Sequence, residues 1–367
     1  MKMMEPCLLT GPFDWSDAII PRAEFDARLV RVRALMRAAG VEKLVAHGNA
    51  FDHGALAWLT GFTPKLGPAF ALVPLEGPLR IVCSGGPGMT RSAKLLTFVE
   101  DVSALRGVGP DIGGWLGEAP AGGFRLGLCE GGAMAQAPWA ALQGLVAGKG
   151  AIVEMDAGLD ALRRARTPVE QKVMAQAIEI LEATTRLAIQ MRKKLGPRGL
   201  ALAAEAAAMS FGAQDARFRV SARPCGPPAP PGDDDAKIDG PICLAMATRF
   251  YGSWACGQTM LGEIDAATRD TAGAALRDGL SRLRAGAPAA AILDAGVSGH
   301  GVGLCLEEAP RFDGADVLVA GDVVSLVARV AAGESGGASW SLLARVASGD
   351  ARVLWAAPNL GFTPGRE

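Results

Sequence analysis

Histidine and tyrosine are the scarcest reactive residues in this chain, and their placement bounds its chemistry. Among 367 residues there are three histidines, His47, His53 and His300, and one tyrosine, Tyr251. Any imidazole-based metal centre or elaborate proton relay must draw on these few side chains. His300 sits in Gly299-His-Gly-Val-Gly-Leu-Cys-Leu-Glu-Glu-Ala-Pro310, with Cys305, Glu307 and Glu308 close behind it. His47, Asn49, Asp52 and His53 form a second polar cluster, whose side chains are expected to cap the helix that follows. Asp233-Asp-Asp235 lies in a stretch rich in Pro and Gly. It lacks the spacing of a calcium loop and reads as a solvated turn. The seven cysteines are scattered with no CxxC pair, which suits free thiols in a reducing compartment rather than a disulfide framework.

These residues must be positioned by a chain long enough for two domains. Half the residues are hydrophobic and a fifth charged, enough for sizeable cores. The formal charge of −1 argues against a nucleic-acid partner. No apolar run approaches the ~18 residues of a membrane span. Glu5, Pro6, Pro12 and Asp14 break up the first residues too strongly for a signal peptide, so a cytoplasmic protein is expected. Apolar positions at helical spacing predict a helix over 21–39, and a weaker one over 133–146. Short runs at 43–47, 69–75, 79–84, 124–129 and 151–155 predict strands. Thr167-Pro-Val-Glu170 combines a capping box with Pro at the first helical position, and predicts a long helix to about Lys194. Further helices are expected at 200–210 and 266–283, and strands at 241–248, 253–261, 323–330 and 338–346. The whole reads as an α/β domain over 1–157 and an α+β domain over 158–367. Arg249 and Tyr251 are expected on the exposed turn between two of the strands.

The stretch from Gly299 to Pro310 resembles the GHGIGLxxHExP signature of the creatinase/aminopeptidase P/methionine aminopeptidase family. Gly321-Asp-Val-Val-Ser-Leu-Val-Ala328 and Gly336-Gly-Ala-Ser-Trp-Ser-Leu-Leu-Ala-Arg-Val346 are similar to its two following strands. Residues 242–260 resemble its VxxDxGxxxxGYxxDxTRT hairpin, and Ala161-Leu-Arg-Arg-Ala-Arg-Thr-Pro-Val-Glu170 its LRxxKxPxE segment. Ala57-Trp-Leu-Thr-Gly-Phe62 is similar to the YLTGF element of creatinase-type N-terminal domains. Order and spacing hold over almost the whole chain. The resemblance implies a creatinase-like N-terminal domain followed by a pita-bread domain, closest to creatinase and Xaa-Pro dipeptidases.

Active members hold two divalent ions through two Asp, one His and two Glu, because hard carboxylates bridge the ions and a shared hydroxide becomes the nucleophile. Those positions fall here at Ala245, Cys256, His300, Val327 and Ser341, so four of the five ligands are replaced. No acid lies between Gly240 and Gly262 or between Val323 and Arg329, so a shift of a few residues restores nothing. The His of the HExP segment is replaced by Glu307. The family's upstream His, which serves creatinase as a metal-free acid/base, has no counterpart, since no His lies between His53 and His300. Neither metal nor other cofactor is expected. The expected role is a divergent, degenerate member that binds a small-molecule or peptide-like ligand, or acts as a regulatory partner. It is expected to form a homodimer or to pair with a paralogue. The alternative is a metal-independent C–N hydrolase or lyase using Cys256, His300 and Glu307, with Cys256 and His300 as a thiolate–imidazolium pair. A softer possibility is a mononuclear site of Cys256, His300 and either Cys305 or Glu307.

Overall fold

The computed structural model describes residues 14–118, 123–223, 225–232, 237–332 and 336–365. The chain divides into two compact units, Met1–Arg163 and Arg164–Glu367. The boundary expected after residue 157 falls inside the helix Asp156–Arg164. The acidic turn Asp233–Asp235 lies outside the described residues.

Among its described residues the first unit has six strands: β1 (Lys43–Gly48), β2 (Ala69–Pro74), β3 (Arg80–Cys83), β4 (Val102–Ala104), β5 (Phe124–Cys129) and β6 (Gly150–Glu154). They form one mixed sheet in the order β4-β3-β2-β1-β5-β6. Parallel pairing of β1 with β5 and of β5 with β6 gives it α/β character. The helices are α1 (Arg22–Ala38), α2 (Gly54–Thr60), α3 (Pro87–Leu95), α4 (Gly114–Leu116), α5 (Gln136–Val146) and α6 (Asp156–Arg164). Phe25, Val32 and Met36 recur on one stripe of α1 and are each at most 1% exposed. Full burial of such side chains contributes about 1.5–3 kcal/mol apiece. A helix is expected after the His47–His53 cluster, where α2 stands, whereas the spacing misses α3, α4 and α6, which are too short for a clear period.

The second unit begins with α7 (Pro168–Met191), α8 (Pro197–Ser210) and, further on, α9 (Ala266–Arg282). The capping box forms as expected: the Thr167 hydroxyl accepts from Glu170 N, and the Glu170 carboxylate accepts from Thr167 N at 2.7 Å. The helix ends at Met191, three residues before the expected stop.

Among the described residues of this unit nine strands make two antiparallel sheets. β7 (Asp215–Ser221), β8 (Pro228–Ala229), β9 (Ile242–Phe250) and β10 (Ser253–Leu261) are ordered β10-β9-β7-β8. β11 (Val297–Gly301), β12 (Glu308–Arg311), β13 (Val323–Ala332), β14 (Gly336–Arg345) and β15 (Arg352–Ala356) are ordered β12-β11-β13-β14-β15. A 3₁₀ turn, Ala289–Ala295, fills the short interval before β11.

Each sheet turns one face to helices. Thr248 donates to the Ala177 carbonyl of α7 at 3.0 Å, and Met246 packs on Thr185 of the same helix. Gly279 of α9 backs onto Val297 and Leu326 of the other sheet. The remaining faces meet where β10 touches β14.

Candidate functional site

Alternation along the strands fixes which residues line the space between the two sheets. Directly opposed residues of an antiparallel pair project to the same side. On the first sheet the rows read Asp215–Arg249–Trp254, Arg217–Ala247–Cys256 and Arg219–Ala245–Gln258. On the second they read His300–Ser325–Leu343 and Ser298–Val327–Ser341, with Arg329 opposite Ser339. All five positions matched to metal ligands, Ala245, Cys256, His300, Val327 and Ser341, therefore lie on these inner faces.

At the closed side, where β10 approaches β14, small neutral groups bond one another. Gln258 N donates to Ser341 Oγ at 2.6 Å, and Ser339 Oγ donates to Gln258 Oε1 at 2.8 Å. Cys243 Sγ lies 3.4 Å from Ser339 Oγ. Cys256 hydrogen-bonds Ser325. Val327 and Ser341 are buried, whereas Ala245, Gln258, Ser298 and His300 keep partial exposure. On the inner rows β7 carries Arg217 and Arg219, both exposed, and β11 carries Ser298 and His300.

The glycines beside His300 have a steric cause. A Cβ on Gly299 would overlap the Ser325 carbonyl and the Phe312 ring, and one on Gly301 would overlap the Ala309 carbonyl. β11 thus runs tightly between β12 and β13 and leaves His300 as its inward reactive side chain. His300 Nδ1 lies 3.0 Å from the Gly301 carbonyl. A carbonyl only accepts, so Nδ1 carries the proton and Nε2 is the acceptor in the neutral ring.

Cys256 and His300 both project from the inner faces, but no hydrogen bond joins them among the described residues. The thiol is directed to Ser325, the ladder neighbour of His300. Burial pushes its pKa up to about 12, Ser325 opposes the shift, and the nearby Glu307 carboxylate adds to it. Cys256 is therefore a neutral thiol near pH 7, not a thiolate nucleophile. Glu307 itself is exposed. Glu308 has a fastening role: it accepts from Cys305 N at 3.1 Å and from Arg166 at 3.3 Å.

Arg249 corrects the expectation of an exposed turn residue. It is 2% exposed, lies 5.2 Å over the Trp254 ring and is ion-paired with Asp215 at 3.4 Å. Burial lowers its pKa to about 10, well above neutrality. Arg217 covers the same indole at 4.8 Å. The sequence analysis missed Arg217, Arg219, Gln258, Ser325 and Ser339. For β7 a signal existed, because Asp215, Arg217 and Arg219 alternate with Ala216, Phe218 and Val220.

Two divalent ions need hard, anionic donors, and the residues present do not fit them. Ala245 and Val327 offer no donor. Ser341 Oγ and the Cys256 thiol already have partners. Among the described residues no three His, Cys, Asp or Glu side chains assemble into a metal-holding group. The soft combination of Cys256 and His300 with Cys305 or Glu307 is thus not assembled.

The polar cluster of the first unit has a structural arrangement. Asn49 Oδ1 accepts from Phe51 N and Asp52 N, which forms the turn. The start of α2 is capped from far along the chain: Ala55 N donates to Glu130 Oε1 at 2.7 Å. Glu130 also approaches Arg163 at 3.8 Å, and its backbone carbonyl lies 3.1 Å from His47 Nδ1. Burial raises the Glu130 pKa to about 7, against the pull of Arg163 and the Ala55 amide.

No protein-family model matches the sequence, and no curated protein matches it. Solved structures do. The prolidase of Pyrococcus horikoshii superposes with a TM-score of 0.72 at 15% identity, over 93% of this chain and 99% of that one. The X-Pro aminopeptidase of Thermotoga maritima gives 0.76 at 16% identity, over 92% and 98%. The N-terminal domain of the FACT complex subunit SPT16 from chickpea gives 0.64 at 12% identity, over 90% and 96%. No helix among the described residues is long and apolar enough to cross a membrane. The chain therefore has the two-domain pita-bread fold that prolidases and X-Pro aminopeptidases share.

Proposed function

We propose that this chain uses the pita-bread cleft to bind a ligand, as a binding or regulatory protein, and does not hydrolyse peptides with a metal-activated water. The donor set carries this reading. Metal-assisted hydrolysis needs carboxylates to neutralise the ions and to generate hydroxide near neutral pH. Ala245, Cys256, Val327 and Ser341 stand at the positions where the resemblance places those carboxylates. The cleft floor is instead a set of neutral thiol, hydroxyl and amide groups that bond one another. A cysteine nucleophile is disfavoured by the same burial that keeps Cys256 protonated.

The test is metal content by mass spectrometry after incubation with manganese, cobalt or zinc and desalting, paired with an Xaa-Pro dipeptide hydrolysis assay. The expected outcome is a substoichiometric metal content and no turnover. Two ions per chain with metal-dependent turnover would overturn the reading.

A further inference from the structure

We propose that a half-open cavity of the first unit is the docking site of this chain's own apolar run Leu8–Phe13, which closes it. The inference is independent of the function proposed for the second unit.

The cavity lies beside the C-terminal turn of α3 and encloses about 380 Å³, open space at its entrance included. Ligand sites run from about 300 to 1,000 Å³, so this one suits a short run of side chains better than a cofactor. Phe62, Pro64, Leu66, Ala93 and Leu96 make its wall apolar, and the Cys83 thiol lines it too. Its rim is left uncovered by the described residues. Leu66 is 58% exposed, and Leu95, next to Leu96, is 49% exposed. Two large apolar side chains in water beside an apolar hollow favour an occupant that covers them.

The path of the chain names that occupant. Trp15 N donates to the Leu95 carbonyl at 2.7 Å, so the residues before Asp14 set out from the turn of α3 that walls the cavity. A stretch of six residues reaches at most about 20 Å from that point. Leu8–Phe13 reads Leu-Leu-Thr-Gly-Pro-Phe, with three large apolar side chains and no charge. Its Gly11-Pro12 pair is of the kind that reverses a chain. Glu5 and Asp14 are the nearest charged residues on either side, which limits the run suited to an apolar hollow. Covalent attachment gives the run a high effective concentration at the cavity, an advantage over any free partner of the same composition.

Limited proteolysis of the full chain tests the inference. A docked run is cut only when it opens, so the rate of chymotrypsin cleavage after Leu9, read by mass spectrometry, follows the open fraction. Leu66→Asp puts a charge on the rim and should speed that cleavage about tenfold or more. Val30→Asp, a like change at an exposed position of α1, should leave the wild-type rate unchanged. Dilution from about 10 µM to about 0.1 µM should not alter the wild-type rate constant, because the docking is intramolecular. From the other side, Leu8→Ser, Leu9→Ser and Phe13→Ser combined should raise the reaction rate of Cys83 with iodoacetamide about tenfold. Circular dichroism checks that each variant is folded. Equal cleavage in wild type and Leu66→Asp, equal acceleration by Val30→Asp, or unchanged Cys83 reactivity in the triple variant overturns the inference. Protection that fades on dilution also overturns it, and assigns the cavity to a second copy of the chain.

Discussion

Glu130 should make the first unit less stable as pH rises, and neutralising it should remove that dependence. Its carboxylate is buried beside α2, accepts from Ala55 N, and has a pKa raised from 4.5 to about 7 chiefly by burial. An acid whose pKa is raised by folding holds its proton more tightly in the folded chain. Its contribution is complete below pH 4.5 and is lost as pH passes through about 7. Between pH 5 and pH 8 the linkage relation gives a loss of about 2–3 kcal/mol, since each tenfold difference in proton affinity between the folded and unfolded chain is worth about 1.4 kcal/mol. Glu130→Gln keeps the acceptor for Ala55 N and removes the titration. Urea unfolding followed by tryptophan fluorescence, on both proteins at pH 5, 6, 7 and 8, isolates the effect because other titrations cancel in the difference. The wild type should lose about 2–3 kcal/mol relative to the variant across this range. A difference that stays constant with pH would refute the reasoning. It would mean that Arg163, 3.8 Å away, holds the carboxylate ionised throughout.

Three further outcomes are expected. Cys256 should react with iodoacetamide at pH 8 about a thousandfold more slowly in the native chain than in urea, read by peptide mass spectrometry, because a pKa near 12 leaves almost no thiolate. Comparable rates would revive it as a nucleophile. Asp322→Ala should cost about 3–5 kcal/mol in denaturant unfolding, since it strands the half-buried Arg164, which Asp322 holds at 2.8 and 2.6 Å, and also frees Val319 N. A loss below about 1 kcal/mol would show that water replaces the pair. Thr167→Ala should cost about 1 kcal/mol by opening the capping box, measured the same way.

The parts of the fold that were legible share one property: the signal was local. Thr167 and Glu170 are three residues apart and fix the start of α7 without help. The strands at 253–261 and 323–330 read correctly because their apolar runs exceed what an exposed loop tolerates. The parts that escaped depend on partners far along the chain. Glu130 caps α2 from 75 residues away. Arg249 is buried because strand pairing sets Trp254 and Asp215 beside it, and a guanidinium next to a turn sequence otherwise reads as solvated. The candidate cleft was half legible. Its five matched positions fall on the inner faces, but Arg217 and Arg219 sit on β7, whose alternation over 215–220 marks a strand without telling which face turns inward.

Ser341 carries a consequence beyond the cleft. β10 is the outermost strand of its sheet, and such a strand offers free amides on which another chain can add. Two of those amides are closed from within the same unit: Trp254 N by the Gly303 carbonyl at 2.7 Å and Gln258 N by Ser341 Oγ at 2.6 Å. A hydroxyl in that place shields the strand against intermolecular pairing, so losing it would weaken resistance to aggregation as well as the packing of the domain.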